Sequence, residues 1–179
     1  MADTTHHIMV KNARVSFPHF FTKPIINGDE GSYGGRLLLD PKEHKDVIAK
    51  IEKHIEDIVA EKFKKTKIPS DKRCLRNGDD LTRSEYEGYM VVSANSSKQP
   101  KVYPKTGDLV PITDEAQSKI YSGCRVNMKI NLWAQDNNFG KRVNAECLAV
   151  QFAGDDEPLD GTFVSDEEAA EGFETADDD

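Results

Sequence analysis

The chain has 179 residues, 37 % hydrophobic and 31 % charged, with 24 Lys and Arg against 32 Asp and Glu for a formal net charge of -8. That length suits one domain, or one domain with an appendage, and such a body can bury enough surface to fold without a disulfide or metal staple. No apolar run nears the roughly 18 residues of a membrane span, the first seven residues lack the basic-then-apolar order of a secretory signal, and three widely spaced cysteines (Cys74, Cys124, Cys147) argue for a reducing cytoplasm.

Ile8 to Phe17 alternates as a strand that Pro18 stops, with Ala13, Val15 and Phe17 on one face and Asn12, Arg14 and Ser16 on the other. Tyr33 to Asp40 is a second strand, in which Gly34-Gly35 marks a bulge or a tight bend. Asp40 then caps a long helix: Pro41 suits the first helical position, and Glu43 stands at capping-box spacing. Val47, Ile48, Ile51, Ile55, Ile58, Val59 and Phe63 form one apolar stripe, and the helix is expected to end near Lys65, before Pro69.

Ser70 to Gly88 is irregular, with a turn at Asn77-Gly78-Asp79, and it carries Lys72, Arg73, Arg76 and Arg83. Tyr89 to Asn95 is a third strand, and Ser96 to Gly107 is a hairpin connection or a short strand around Val102. Thr113 to Tyr121 reads as a short helix that Gly123 ends. Cys124 to Gln135 is the clearest strand; Asp136 to Gly140 is its hairpin loop and Lys141 to Phe152 its partner. Five or six strands with one long helix fit a small Greek-key barrel, because there is too little helix to cover both faces of a parallel sheet.

The charge is unevenly placed. From Gly154 to Asp179 the chain holds 12 acids and no Lys or Arg, which leaves residues 1–153 with 24 basic and 20 acidic groups. The expected division is a mildly basic domain over 1–153 and an acidic tail over 154–179. Such a tail cannot bury enough apolar surface to offset its ordering entropy, so disorder is expected there.

The polar face of the Cys124–Gln135 strand reads Arg125, Asn127, Lys129, Asn131, Trp133: two cations, two amides and the single Trp of the chain. Cations that track phosphates beside rings that stack on bases are what sequence-tolerant single-strand binding needs. The plainer alternative is that Trp133 closes one end of the barrel core. Phe139 at the hairpin tip, followed by Lys141 and Arg142, suits a groove wall. Lys98, Lys101, Tyr103 and Lys105 lie in a segment stiffened by Pro100 and Pro104. Arg73 and Arg76 give a weaker signal. No phosphate loop, nucleophile elbow or HExxH motif occurs. Of the five histidines, His6, His7, His19, His44 and His54, the last two lie ten apart on the helix, and neither pairs with a Cys at metal spacing. No cofactor or metal is expected, and the cysteines read as two core thiols and one loop thiol.

Several stretches together resemble a known family. Tyr121-Ser122-Gly123-Cys124 leads into the Arg125–Trp133 strand, then the Asp136-Asn137 turn, then Ala149-Val150-Gln151-Phe152 and an acidic end. Arg14 to Pro18, Leu75 to Asp79, and Gly88 to Ala94 followed by Pro100 also match. The pattern resembles the phage single-stranded-DNA-binding proteins of the oligonucleotide-binding-barrel type, a family long called a domain of unknown function. The resemblance implies a non-catalytic protein of replication, recombination or repair in the cytoplasm of an infected bacterial host. It also implies that Arg14, Arg76 and Tyr89, in the matched stretches, join Lys98, Lys101, Tyr103, Arg125, Lys129, Trp133, Phe139, Lys141 and Arg142 as candidate DNA contacts. In such proteins the acidic tail competes with DNA and docks replication or recombination partners, a role that would fall to Asp166, Glu167, Glu168, Phe173, Asp177, Asp178 and Asp179. Many such tails end in an aromatic residue; this one ends in three Asp, with Phe163 and Phe173 further in. Two rival readings are a small metal-dependent phage nuclease and an acidic DNA mimic.

Overall fold

The computed structural model describes residues 5–64, 66–159 and 171–172. Five strands, β1 (His7–His19), β2 (Tyr33–Leu39), β3 (Met90–Ser96), β4 (Arg125–Asn137) and β5 (Gly140–Gly154), build the body. β1 pairs antiparallel with β2 and β4, β2 with β3, and β4 with β5. A parallel contact of β3 with β5, Ala94 opposite Ala145 and Asn95 opposite Glu146, closes the ring. This is the expected mainly-β, five-stranded oligonucleotide-binding barrel with one long helix. Leu75–Asn77 extends it beside β3, and Lys101–Tyr103 beside β5, the short strand expected around Val102.

The core follows from the alternation, with one correction. Ile8, Val10, Ala13 and Val15 are all buried. That set changes parity between Val10 and Ala13, where β1 slips register against β4 and Asn12 takes a φ of 55°. A second irregularity between Ser16 and His19 turns Phe17 outward, at a φ of 52° and 42 % exposure. Phe17 was expected to share the face of Ala13 and Val15, and the bulge turns it out; Ser16, on the opposite side of the strand from Val15, is buried outside the barrel, where its Oγ lies 2.9 Å from the buried Tyr86 hydroxyl.

The helix α1 spans Lys45–Ile58 and runs on as a π-helical turn over Val59–Phe63. It starts later than expected because the Asp40 carboxylate caps a separate turn, accepting from the Lys42 N–H at 2.8 Å and the Glu43 N–H at 3.4 Å. Ile48, Ile51, Ile55, Ile58, Val59 and Phe63 bury the anticipated stripe. The short helix α2 (Glu115–Ser118) is capped by Asp114, which accepts from the Ala116 N–H at 3.0 Å, and stops before the left-handed Lys119 rather than at Gly123. All three cysteines are buried, including Cys74 in the bend before Leu75; burial pushes Cys74 and Cys147 up to about 12 and Cys124 up to about 11. Outside the barrel, Leu38, Tyr86 and Val91 form a second apolar cluster covered by Leu81, Tyr89 and Leu159.

Candidate nucleic-acid interface

A continuous groove crosses the outer face of β2 and β3. Arg36 supplies its floor from β2, and Ser93 and Asn95 from β3. The two strands can meet so closely because Gly34 has no side chain. At its φ of +141°, a Cβ would stand 2.1 Å from the Ala94 carbonyl oxygen. One end is walled by Phe17 and Arg83, and the other by Arg73, Arg76, Arg142, Asn144 and Trp133. Trp133 is 42 % exposed and stands opposite Asn144 in the β4–β5 register. Asn144 is itself fixed by a 2.8 Å bond from its Nδ2 to Gln135 Oε1.

The electrostatics are those of an anion track. Five arginines line the groove against one carboxylate, Asp71. Arg73 pairs with Glu56, and Arg83 with Glu85. Among the described residues Arg36, Arg76 and Arg142 have no carboxylate partner. Two of the cations also lie over rings. The Arg83 guanidinium is 4.6 Å from the Phe17 centroid, and that of Arg36 is 5.6 Å from the Tyr86 centroid. Guanidinium groups along a floor with an exposed ring at either end can hold a phosphate backbone and stack bases. Among the described residues no three His, Cys, Asp or Glu side chains gather into a metal site, and no helix is long and apolar enough to cross a membrane.

Of the residues singled out from sequence, Arg76, Trp133 and Arg142 come together here. The shared face of β4 does not stay on one surface. Eight residues separate Arg125 from Trp133, about 26 Å of extended chain that coils around the barrel. Lys129, Ala149 and Lys101 form one cross-strand row, and Asn127, Gln151 and Tyr103 the next, so Lys129, Lys101 and Tyr103 lie off the groove. Exposed Lys98 and the hairpin tip Phe139 also do not line it, and the ammonium of Lys141 sits 5.9 Å from the Phe63 ring. Phe17, Arg36, Arg83, Ser93 and Asn95 were missed. Arg36 left a signal, a lone cation in the otherwise apolar strand YGGRLLL. Phe17 left none, because its orientation depends on the bulge.

Arg14 and Arg125 are engaged elsewhere, by the chain beyond β5, and Tyr89 by Arg14. Asp156 Oδ2 lies 2.8 Å from Arg125 Nε and 3.6 Å from Arg14 Nε. Arg125 Nη1 also reaches Glu43 at 3.2 Å, and Arg14 Nη1 reaches the Tyr89 hydroxyl at 3.4 Å. Partial burial pushes the Asp156 carboxyl up, but the Glu157 N–H and the Arg125 and Arg14 guanidiniums outweigh it and hold the group below its ordinary value. The tail residues Asp166, Glu167, Glu168, Phe173, Asp177, Asp178 and Asp179 lie outside the described residues.

Comparison with known proteins agrees with the fold. A family model described as the single-stranded-DNA-binding protein of Enterobacter phage Enc34 matches residues 6–179. The solved structure of the bacteriophage Enc34 single-stranded-DNA-binding protein in complex with single-stranded DNA is 32 % identical, with a TM-score of 0.77 over 87 % of this chain and 90 % of that one. A protein called p50, from Acyrthosiphon pisum secondary endosymbiont phage 1, is 30 % identical over 168 residues, 88 % of this chain and 89 % of that protein. The gp2.5 single-stranded-DNA-binding protein of bacteriophage T7 shares the fold at 12 % identity, with a TM-score of 0.50 over 92 % of this chain and all of that one.

Proposed function

Since the chain belongs to the family of the Enterobacter phage Enc34 single-stranded-DNA-binding protein, we propose that it binds single-stranded DNA along the groove from Trp133 to Phe17, without catalysis and with tolerance of sequence. The observation that carries this reading is the combination of three arginines without a carboxylate partner among the described residues, Arg36, Arg76 and Arg142, with an exposed ring at each end of the groove. Guanidinium groups on phosphates and rings on bases do not select a base, because every base has a π face. The setting we propose is replication, recombination or repair of phage DNA in the cytoplasm of an infected bacterium.

The acidic tail belongs to the same reading. Between residues 160 and 179 lie nine carboxylates and no Lys or Arg. Tethered beside the groove they act at roughly millimolar effective concentration. They compete with DNA, and once displaced they are free to dock partner enzymes. A gel-shift series with single- and double-stranded oligonucleotides, with and without magnesium, tests the proposal. Retention of intact single strands is the expected result. Shortening of the oligonucleotide with magnesium would favour a nuclease, and no shift at all a DNA mimic.

A further inference from the structure

We propose that residues 155–159 are a strap built into the barrel, which makes the acidic tail leave the domain beside the arginine groove instead of at the end of β5. The inference rests on the tail competition proposed above and adds the device that aims it.

The body is shaped to receive these residues. The Tyr121 hydroxyl donates to the Asp156 carbonyl oxygen at 2.8 Å and accepts from the Asp156 N–H at 3.0 Å. Arg125 and Arg14 hold the Asp156 carboxylate from β4 and β1, and Arg14 Nη2 also donates to the Glu157 carbonyl oxygen. The Leu159 N–H donates to the Ser122 carbonyl oxygen at 3.1 Å. Gly123 has a φ of +110°, and a Cβ there would stand 2.2 Å from the Glu157 oxygen and 2.9 Å from both Leu159 N and Pro158 Cα. Tyr121, Ser122 and Gly123 thus supply a hydroxyl, a carbonyl and an empty space, each used by the same five residues.

The far end of the strap sets the exit. Leu159 packs against the Leu38–Tyr86–Val91 cluster on the outer face of β2 and β3. The guanidinium of Arg36, the groove's floor, lies over the ring of that Tyr86. Leu159, the last residue of the strap, therefore shares the Tyr86 ring with the Arg36 cation, and the nine acids that the rest of the chain carries follow directly after it. Arg14 and Arg125 act in this scheme as positioning residues, through Asp156, and do not touch the nucleic acid.

The test is a coupling experiment in the full-length chain. Oligo-dT affinity is measured at low salt for Asp156→Asn, for Tyr121→Phe, and for each combined with replacement of the nine acids of 160–179 by Asn or Gln. Neutralising the nine acids alone should tighten binding. Asp156→Asn and Tyr121→Phe should each tighten binding by about threefold or more in the acidic chain and have no effect in the neutralised one, a difference in the range of coupled sites. Equal tightening in both chains would mean that freed Arg14 and Arg125 bind DNA themselves, and would overturn the strap. No change from either substitution, while neutralisation still tightens binding, would overturn it too and leave tail competition standing. No effect of neutralisation would remove the tail competition and the strap's purpose with it.

Discussion

The guanidinium carbon of Arg83 lies 4.6 Å from the centre of the Phe17 ring, across the groove from Trp133. Phe17 is exposed, and its positive φ is unfavourable for a side chain with a Cβ. An aromatic residue held out of the core in this way, with a cation over it, is placed to stack on a base. Loss of a stacked ring costs roughly 1–3 kcal/mol per base. Phe17→Ala should therefore weaken oligonucleotide binding about tenfold, and it should leave the thermal midpoint nearly unchanged because no core cavity opens. Fluorescence anisotropy of a labelled oligonucleotide, beside a melting curve, measures both.

Arg36, Arg76 and Arg142 should each neutralise phosphate. For single strands the log–log salt slope changes by about 0.7 per phosphate contact. Arg36→Gln should flatten the slope by no more than that and weaken all sequences alike. Lys129→Gln, beyond the groove in the row of Ala149 and Lys101, should leave the slope unchanged. A steeper dependence on Lys129 than on Arg36 would place the strand on the opposite face of the barrel.

The barrel was legible because period-two alternation is a local property: the buried set Val126, Met128, Ile130 and Leu132 can be read directly from the chain. The groove was only partly legible. Trp133, Arg76 and Arg142 were visible as residue types, but a strand's outer face is a helical ribbon around a barrel, and nothing in the spacing of Arg125 and Trp133 shows that they look in different directions. Phe17 was misassigned because bulges at Asn12 and Phe17 shift the side-chain parity without a glycine to announce them. The strap was hidden for another reason. Charge counting merged Asp155, Asp156 and Glu157 with the later acids, whereas Asp156 has two specific partners and Leu159 has an apolar seat.

Asp156 gives the strap an acid limit. Its folded pKa lies below the ordinary 3.8, so its contribution is fully present above that value and is lost as pH falls through the lower folded value. Guanidinium groups remain charged throughout this range. Protection of the Leu159 amide from exchange should therefore persist from pH 7 to about pH 4 and fail only below it. Loss of protection near pH 6 would show that some other group holds the strap.

The thiols should be silent. Burial raises Cys74 and Cys147 to about 12 and Cys124 to about 11, so few thiolates exist at pH 8 and none is accessible. A chromogenic disulfide reagent at pH 8 should label none in the native protein and all three in denaturant. Rapid labelling of one thiol would identify a region that opens locally.

The most direct measurement on the groove is the intrinsic emission of Trp133, the single Trp in the chain and half-exposed at one end of it. Titration with oligo-dT should quench that emission saturably, with the same midpoint as the anisotropy of a labelled strand, and the quenching should reverse with added salt. Binding that saturates by anisotropy while the Trp133 emission stays unchanged would contradict the assignment of this groove as the DNA site.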